Sequence, residues 1–152
     1  MFPRLLKAYL PVVLWMSIIF IGSTDLGSSQ RTSRIIGPIL RWFNPDVSDE
    51  AIRIVQAFVR KGAHVSVYGV LAALVWRGRR VARGVKLREG GWSWQEALSI
   101  IAFCALYAVT DELHQSFVQS RQGSAWDVGF DSAGALCALI AIWALGRWKK
   151  FW

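Results

Sequence analysis

Long apolar stretches alternate along this chain with short segments that hold most of its charge. Ala8 to Gly22 carries no charged residue, and residues 5–23 supply the roughly 20 residues a helix needs to cross a bilayer. Residues 58–76, 96–114 and 126–145 repeat the pattern. Four such stretches predict an all-α protein, a four-helix up-and-down transmembrane bundle in one domain spanning residues 1–152. The second helix starts early, because Ser48 offers a capping oxygen and Asp49 and Glu50 place acids in its first turn. It is expected to run to Trp76, longer than the hydrocarbon core. Residues 23–47 are polar, with turn signals at Gly27-Ser28-Ser29 and Asn44-Pro45-Asp46. Between these turns Ile35, Ile36, Ile39, Leu40 and Phe43 recur at helical spacing opposite Arg34 and Arg41. That spacing predicts a short interfacial helix, with Gly37-Pro38 as its expected break.

Composition agrees with the pattern. The 152 residues are 54% hydrophobic and only 18% charged, with nine tryptophans. A soluble domain carries more charge than this. The net charge of +8 raises nucleic acid as a partner. However, the basic residues sit between apolar stretches and at the chain ends without interleaved aromatics, which argues against a nucleic-acid footprint and for a lipid bilayer. Met1 to Gly22 has the form of a signal peptide, but no small-x-small cleavage site follows, so the first helix is read as uncleaved. Cys104 and Cys137 lie inside apolar runs and read as small packing residues.

Charge also orients the bundle. Arg4 and Lys7, the cluster Arg77, Arg79, Arg80, Arg83, Lys86 and Arg88, and the tail Arg147, Lys149 and Lys150 alternate with the spans so as to fall on one side. Short basic loops mark the cytoplasmic side, so both termini are expected there, in a multi-pass protein of the cell membrane. Trp76, Trp92 and Trp94 bracket the basic segment as interfacial anchors.

This topology sends one polar set to the opposite, outer rim. Ser23, Thr24 and Asp25 end the first span there. Lys61 and His64 lie one turn into the second, on a face that Tyr68 continues. Asp111, Glu112, His114 and Gln115 end the third, and Asp127 and Asp131 open the fourth. Asp111 shares a face with Tyr107, His114 and Gln115, whereas Glu112 points about 100° away. Asp127 and Asp131 stack four residues apart, and Gly134, three further on, permits close helix packing. Two carboxylates at that spacing repel and need a cation, which Lys61, Arg121 or a metal supplies. Ionisable groups at membrane depth are candidates for function.

Lys61-x-x-His64-x-x-x-Tyr68, then Asp111-Glu112-x-His114-Gln115-x-Phe117, Arg121 and Asp127-x-x-x-Asp131-x-x-Gly134 resemble the VanZ-like family of small integral membrane proteins. An apolar first helix ending in Ser23-Thr24 fits the same pattern, and the likeness covers nearly the whole chain. Two positions depart from it. Gln119-Ser120 stands where the family often has Pro-Gly, and Val67 where it often has an acid. The family takes its name from a protein linked to teicoplanin resistance, so the resemblance implies a role in antibiotic tolerance or the cell envelope.

Two kinds of function fit these residues. In one, the outer rim binds or processes an envelope substrate such as a glycopeptide, a lipid-linked precursor or a lipid headgroup. His64 or His114 then acts as general base, oriented by Asp111, with Glu112 beside them. Lys61, Tyr68, Gln115 and Arg121 hold the substrate, and Lys61 and Arg121 suit an anion. Asp127 and Asp131 are the candidate ligands of a divalent metal, zinc or manganese by donor chemistry, although no His-Glu-x-x-His signature is present. In the other, the bundle is not an enzyme and shields a target or partners another envelope protein. Lys61 then pairs with Asp111 or Asp127, His64 with Asp131, and Arg121 clips the outer loop. A proton path is weaker, because the inner halves of the spans are almost all apolar.

Overall fold

The computed structural model describes residues 2–24, 29–87, 90–119, 121 and 123–152, and their side chains except those of residues 2 and 29–33. Asp25, the turn at Gly27-Ser28, Arg88, Glu89 and Ser120 fall outside the described residues. Five helices follow one another: α1 (Phe2–Gly22), α2 (Ser29–Phe43), α3 (Asp49–Arg83), α4 (Trp94–Ser116) and α5 (Ala125–Trp148). All but α2 are long and apolar enough to cross a membrane. The all-α bundle expected from the pattern is the fold observed.

Helix boundaries follow local chemistry. Ser48 caps α3 by accepting from the Ala51 N–H, and Ser93 caps α4 by accepting from the Glu96 N–H. The C-terminus of α3 differs from expectation. The helix does not stop at Trp76 but continues through Arg77–Arg83, because nothing before Gly84 breaks it. Gly84 then adopts φ 72°, and its N–H reaches the Val81 carbonyl while that of Val85 reaches Arg80. This left-handed stop favours glycine. Nor do Gly37 and Pro38 break α2, which runs unbroken across them. The proline removes one N–H, but the turns on either side keep theirs, and the Arg41–Asp49 ion pair (2.6 Å) ties its end to α3.

Helix α3 sits at the centre, touching every other helix, with its broadest contact against α5. Tyr68, Leu71, Ala72 and Val75 of α3 pack with Ile100, Cys104 and Ala108 of α4 and Ala135 and Leu139 of α5. Two indole and phenol bonds lock α1 to this core: Trp15 Nε1 donates to Val67 O (2.8 Å) and Tyr107 OH to Met16 O (2.7 Å). The core is thin and the outer surface is apolar. Leu98 and Leu106, for example, are 66% and 69% exposed, as a lipid-facing surface requires. Ile35, Ile39, Trp42 and Phe43 leave α2 with a similar open apolar face.

The bundle has two unlike ends. At the end holding both termini, Arg80 is buried against Trp76 (4.6 Å) and Trp152 (5.4 Å), Arg83 pairs with Glu96 (2.5 Å) and Arg79 donates to Ser99 (2.5 Å). Trp92 and Trp152 stack beside them. The other end holds the polar set of the preceding section.

Two glycines set the α3–α5 distance. A side chain on Gly134 would run into the backbone of Val65, and one on Gly69 would press on the Gly134 carbonyl. Gly134→Ala is therefore expected to lower stability by about 1–3 kcal/mol or more, since backbone cannot yield as a side chain does. Gly62→Ala, at a helical glycine facing open space, should instead gain up to about 1 kcal/mol. Reversible unfolding in micelles compares the two, and equal effects would mean that the α3–α5 contact is not backbone-close.

Candidate functional site

Close packing of α3 on α5 brings two basic side chains of one helix onto two acids of the other. Lys61 Nζ pairs with Asp127 Oδ1, and His64 Nδ1 lies 3.0 Å from Asp131 Oδ1. The three-residue step from Lys61 to His64 matches the four-residue step from Asp127 to Asp131, so both pairs form between α3 and α5, which run parallel as the second and fourth spans of the bundle. Asp127 and Asp131 are buried, and the Lys61 ammonium that meets Asp127 also lies over the Phe130 ring (5.0 Å).

Helix α4 adds its last inward turn to this junction. Asp111, Glu112 and Gln115 are all buried. Gln115 Nε2 bridges Asp111 Oδ2 (3.1 Å) and Glu112 Oε1 (3.2 Å), and the Ser124 N–H donates to Glu112 Oε2 (2.8 Å). The 100° offset of Glu112 from Asp111 does not place it outside the site. Helix α4 packs broadly on α5 and meets α1 through side chains such as Tyr107 and His114. Asp111 lines the cavity with Ile19 and Ser23, its backbone carbonyl accepting from Ser23 Oγ (3.4 Å), whereas Glu112 reaches the start of α5 through the Ser124 N–H.

His114 and Arg121 lie elsewhere. His114 stacks on Phe20 (4.3 Å) and its Nδ1 is 3.2 Å from Ser23 Oγ, so it fastens α4 to α1. Arg121 Nη2 donates to Gly22 O (3.0 Å), tying the α4–α5 loop to the end of α1. Asp111 was expected to orient a histidine, but among the described residues it bonds to neither. The carboxylate on His64 is Asp131, because the α3–α5 contact is closer than any approach of α4 to His64.

A cavity of about 320 Å³ opens beside the junction. Ser23, His64, Tyr68, Asp111, Gln115 and Arg121 make its polar side, and Ile18, Ile19, Val59 and Val67 make its apolar side. Asp111 Oδ1 and Tyr68 OH, together with Asp131 Oδ2 behind them, are buried without a hydrogen-bond partner. Buried polar atoms are nearly always paired, so three orphans in one place are a feature of the site.

A family model described as VanZ/LLP1 matches residues 8–146. The chain belongs to the VanZ-like family. No curated protein and no solved structure matches it. In this VanZ-like chain the matched region runs from the first turns of α1 to the last turn of α5, so the polar junction and the basic end both lie within the family's unit.

Of the two expected metal ligands, Asp127 offers a ligand atom within 4.8 Å of those of His64 and Glu112, while Asp131 Oδ1 lies 3.0 Å from His64 Nδ1. Sequence reasoning named Ser23 at the rim and Arg80 in the basic cluster but passed over Ser124 and Arg60, whose places at the site depend on tertiary structure. The stacking of Arg80 on Trp76 had a signal, since the two are one helical turn apart.

Removing Lys61 strands a buried carboxylate. Without added divalent metal, Lys61→Met is expected to cost about 3 kcal/mol, the low end for broken buried pairs because the lysine is partly exposed. Lys61→Met combined with Asp127→Leu should recover most of the loss. Additive losses in the double variant would show that the pair does not exist in the folded protein.

Proposed function

We propose that this VanZ-like protein presents an outward-facing polar site that binds or processes the polar head of an amphiphilic envelope substrate, and through it contributes to glycopeptide tolerance. The observation that carries this reading is the cavity beside His64, with one apolar and one polar side. An amphiphile entering from the membrane meets Ile18, Val59 and Val67 with its chain and His64, Asp111 and Gln115 with its head. Arg121, although tied to Gly22, sits at the rim where an anionic head arrives. The substrate class is a lipid-linked precursor, a lipid headgroup or a glycopeptide itself.

His64 is the proton-handling group of this reading. With Nδ1 held by Asp131, its second ring nitrogen remains for substrate, the arrangement a general base needs. Asp131 fills the orienting role that spacing had assigned to Asp111. Tyr68 and Gln115 are the hydrogen-bonding groups, and His114 supports α1 from outside the cavity.

The reading places the polar end outside the cell membrane and both termini in the cytoplasm, on the strength of the basic residues around Arg79, Arg83 and Lys86. The competing reading is a shielding or partner-binding bundle whose polar groups only pair with one another. The Lys61–Asp127 and His64–Asp131 pairs favour it, whereas Asp111 Oδ1 and Tyr68 OH, on residues that line the cavity and unpaired among the described residues, favour a ligand.

Teicoplanin sensitivity is measured in cells expressing wild type, His64→Ala, Asp131→Asn or His114→Ala, with membrane abundance quantified in parallel. His64→Ala and Asp131→Asn are expected to lose protection at unchanged abundance, and His114→Ala to keep most of it. Loss that tracks abundance would establish the shielding bundle instead, and an inert wild type would end the tolerance reading. Orientation is tested in a chain carrying Cys104→Ala and Cys137→Ala. Gln119→Cys should react with an impermeant maleimide in intact cells, and Lys86→Cys only after lysis. The reverse pattern would invert the topology.

A further inference from the structure

We infer that the α3–α4–α5 junction is a divalent-cation site, with His64, Glu112 and Asp127 as ligands, Asp131 as the positioning carboxylate behind His64, and Lys61 as a competing cation on Asp127. The inference rests on the reading of this end as a ligand site. It does not require an envelope substrate, and with the ion bound the second His64 nitrogen serves as its ligand in place of acting as general base.

Three helices converge on the site, each supplying one ligand. His64 comes from α3, Glu112 from α4 and Asp127 from α5, and their ligand atoms lie within 4.8 Å of one another. Ligands about 2.0–2.2 Å from one ion in a tetrahedron are roughly 3.4 Å apart, so small side-chain rotations close the set. One imidazole and two carboxylates, leaving positions open, suit zinc or manganese rather than calcium, which takes oxygen ligands alone.

The His64–Asp131 bond is the second observation. Ligating histidines characteristically donate their other ring N–H to a carboxylate, which fixes the tautomer and turns the free nitrogen to the ion. Asp131 does this from complete burial, 3.0 Å from Nδ1, and its Oδ2 has no partner. An aspartate buried with, among the described residues, a histidine as its one hydrogen-bond partner is expensive as a helix-packing device and ordinary behind a metal ligand.

Charge points the same way. Asp111, Glu112, Asp127 and Asp131 are all buried, and Asp111, Glu112 and Asp131 repel one another. The basic groups bonded to Asp127 and Asp131 are Lys61 and His64, while Asp111 and Glu112 accept from the neutral donors Gln115 and Ser124 N–H. Arg60 and Arg121 line the cavity beside Asp111, but the α3–α5 carboxylates themselves are met by one ammonium and one imidazole, and buried acids at membrane depth call for close counter-charge. Each Glu112 oxygen still has a lone pair after its hydrogen bond, and Asp127 keeps a second oxygen while Lys61 holds the first.

Lys61 gives the inference its sharpest consequence. A structural partner of Asp127 and a rival of the metal predict opposite results when it is removed. Full-length wild type, Lys61→Met, Glu112→Gln, Asp131→Asn and, as a control at the opposite end, Arg79→Gln are purified in micelles and stripped with chelator. Each is titrated with zinc or manganese chloride alone. Binding is read by calorimetry, and helix content is checked by circular dichroism. Wild type is expected to bind about one ion per chain and Arg79→Gln to match it. Asp131→Asn should bind about 10- to 100-fold more weakly. Glu112→Gln should lose the site, and Lys61→Met should bind at least about tenfold more tightly, because one positive charge has left the site. Cobalt(II) absorption in wild type, at the intensity of a low-coordinate site, gives a readout that needs no variant to fold.

Absence of binding by folded wild type would overturn the inference, as would binding indifferent to Glu112→Gln or weakened by Lys61→Met. The envelope reading fails separately. A chain that protects cells yet binds no ion loses only the metal, and one that binds the ion while His64→Ala still protects loses only the proposed function.

Discussion

The contact between the backbones of α3 and α5 at Gly134 is the constraint on which the polar end depends. Within lipid no hydrophobic gain draws helices together, so association relies on close packing and hydrogen bonds. Gly134 lets α5 approach the Val65 carbonyl, one residue from His64 and four from Lys61. At that distance a short aspartate on α5 reaches a histidine or lysine on α3. With a larger residue at 134 the helices would separate and both pairs would open. The glycine and the four ionisable side chains are therefore one device.

The two ends of the bundle solve the problem of charge in a membrane in different ways. At the basic end Arg80 is buried between Trp76 and Trp152, and the neighbouring arginines reach Glu96, Ser99 or the surface. Planar guanidinium groups stack on indoles and remain charged at modest desolvation. At the polar end four buried acids outnumber the basic groups bonded to them. Unpaired buried atoms do not distinguish the ends, since among the described residues Trp92 Nε1 and Trp152 Nε1 lack a partner at the basic end as Asp111 Oδ1 and Asp131 Oδ2 do at the polar one. The excess of buried acid is what suits the polar end to a ligand.

The cavity lies where those two demands meet along the length of α1. Ile18 and Ile19 face it from the helix, and Ser23 closes it at the turn beyond. Because Trp15, Tyr107 and Arg121 bind α1 through backbone carbonyls or to its own, α1 is held against α3 and α4 without occupying the polar junction itself. The helix thereby forms one wall of the cavity and leaves the α3–α5 pairs to other helices.

Much of the architecture was legible in the chain alone. Lipid and the hydrogen-bonding needs of the backbone leave helices as the economical solution for long apolar runs, so the four spans and the family pattern could be read from local composition. Caps such as Ser48 and the spacing of Lys61 and His64 are also local facts. What the chain could not show was which residues face each other across helices. The continuation of α3 to Arg83 depended on a stop signal at Gly84 outweighing a run of charge. Glu112 appeared to point away because helical angles are measured on one helix, whereas burial depends on what stands on each side. Asp131 was one of two carboxylates weighed for His64, and Asp127 one of two for Lys61; the α3–α5 packing distance selects them, and distance between helices has no representation along a sequence.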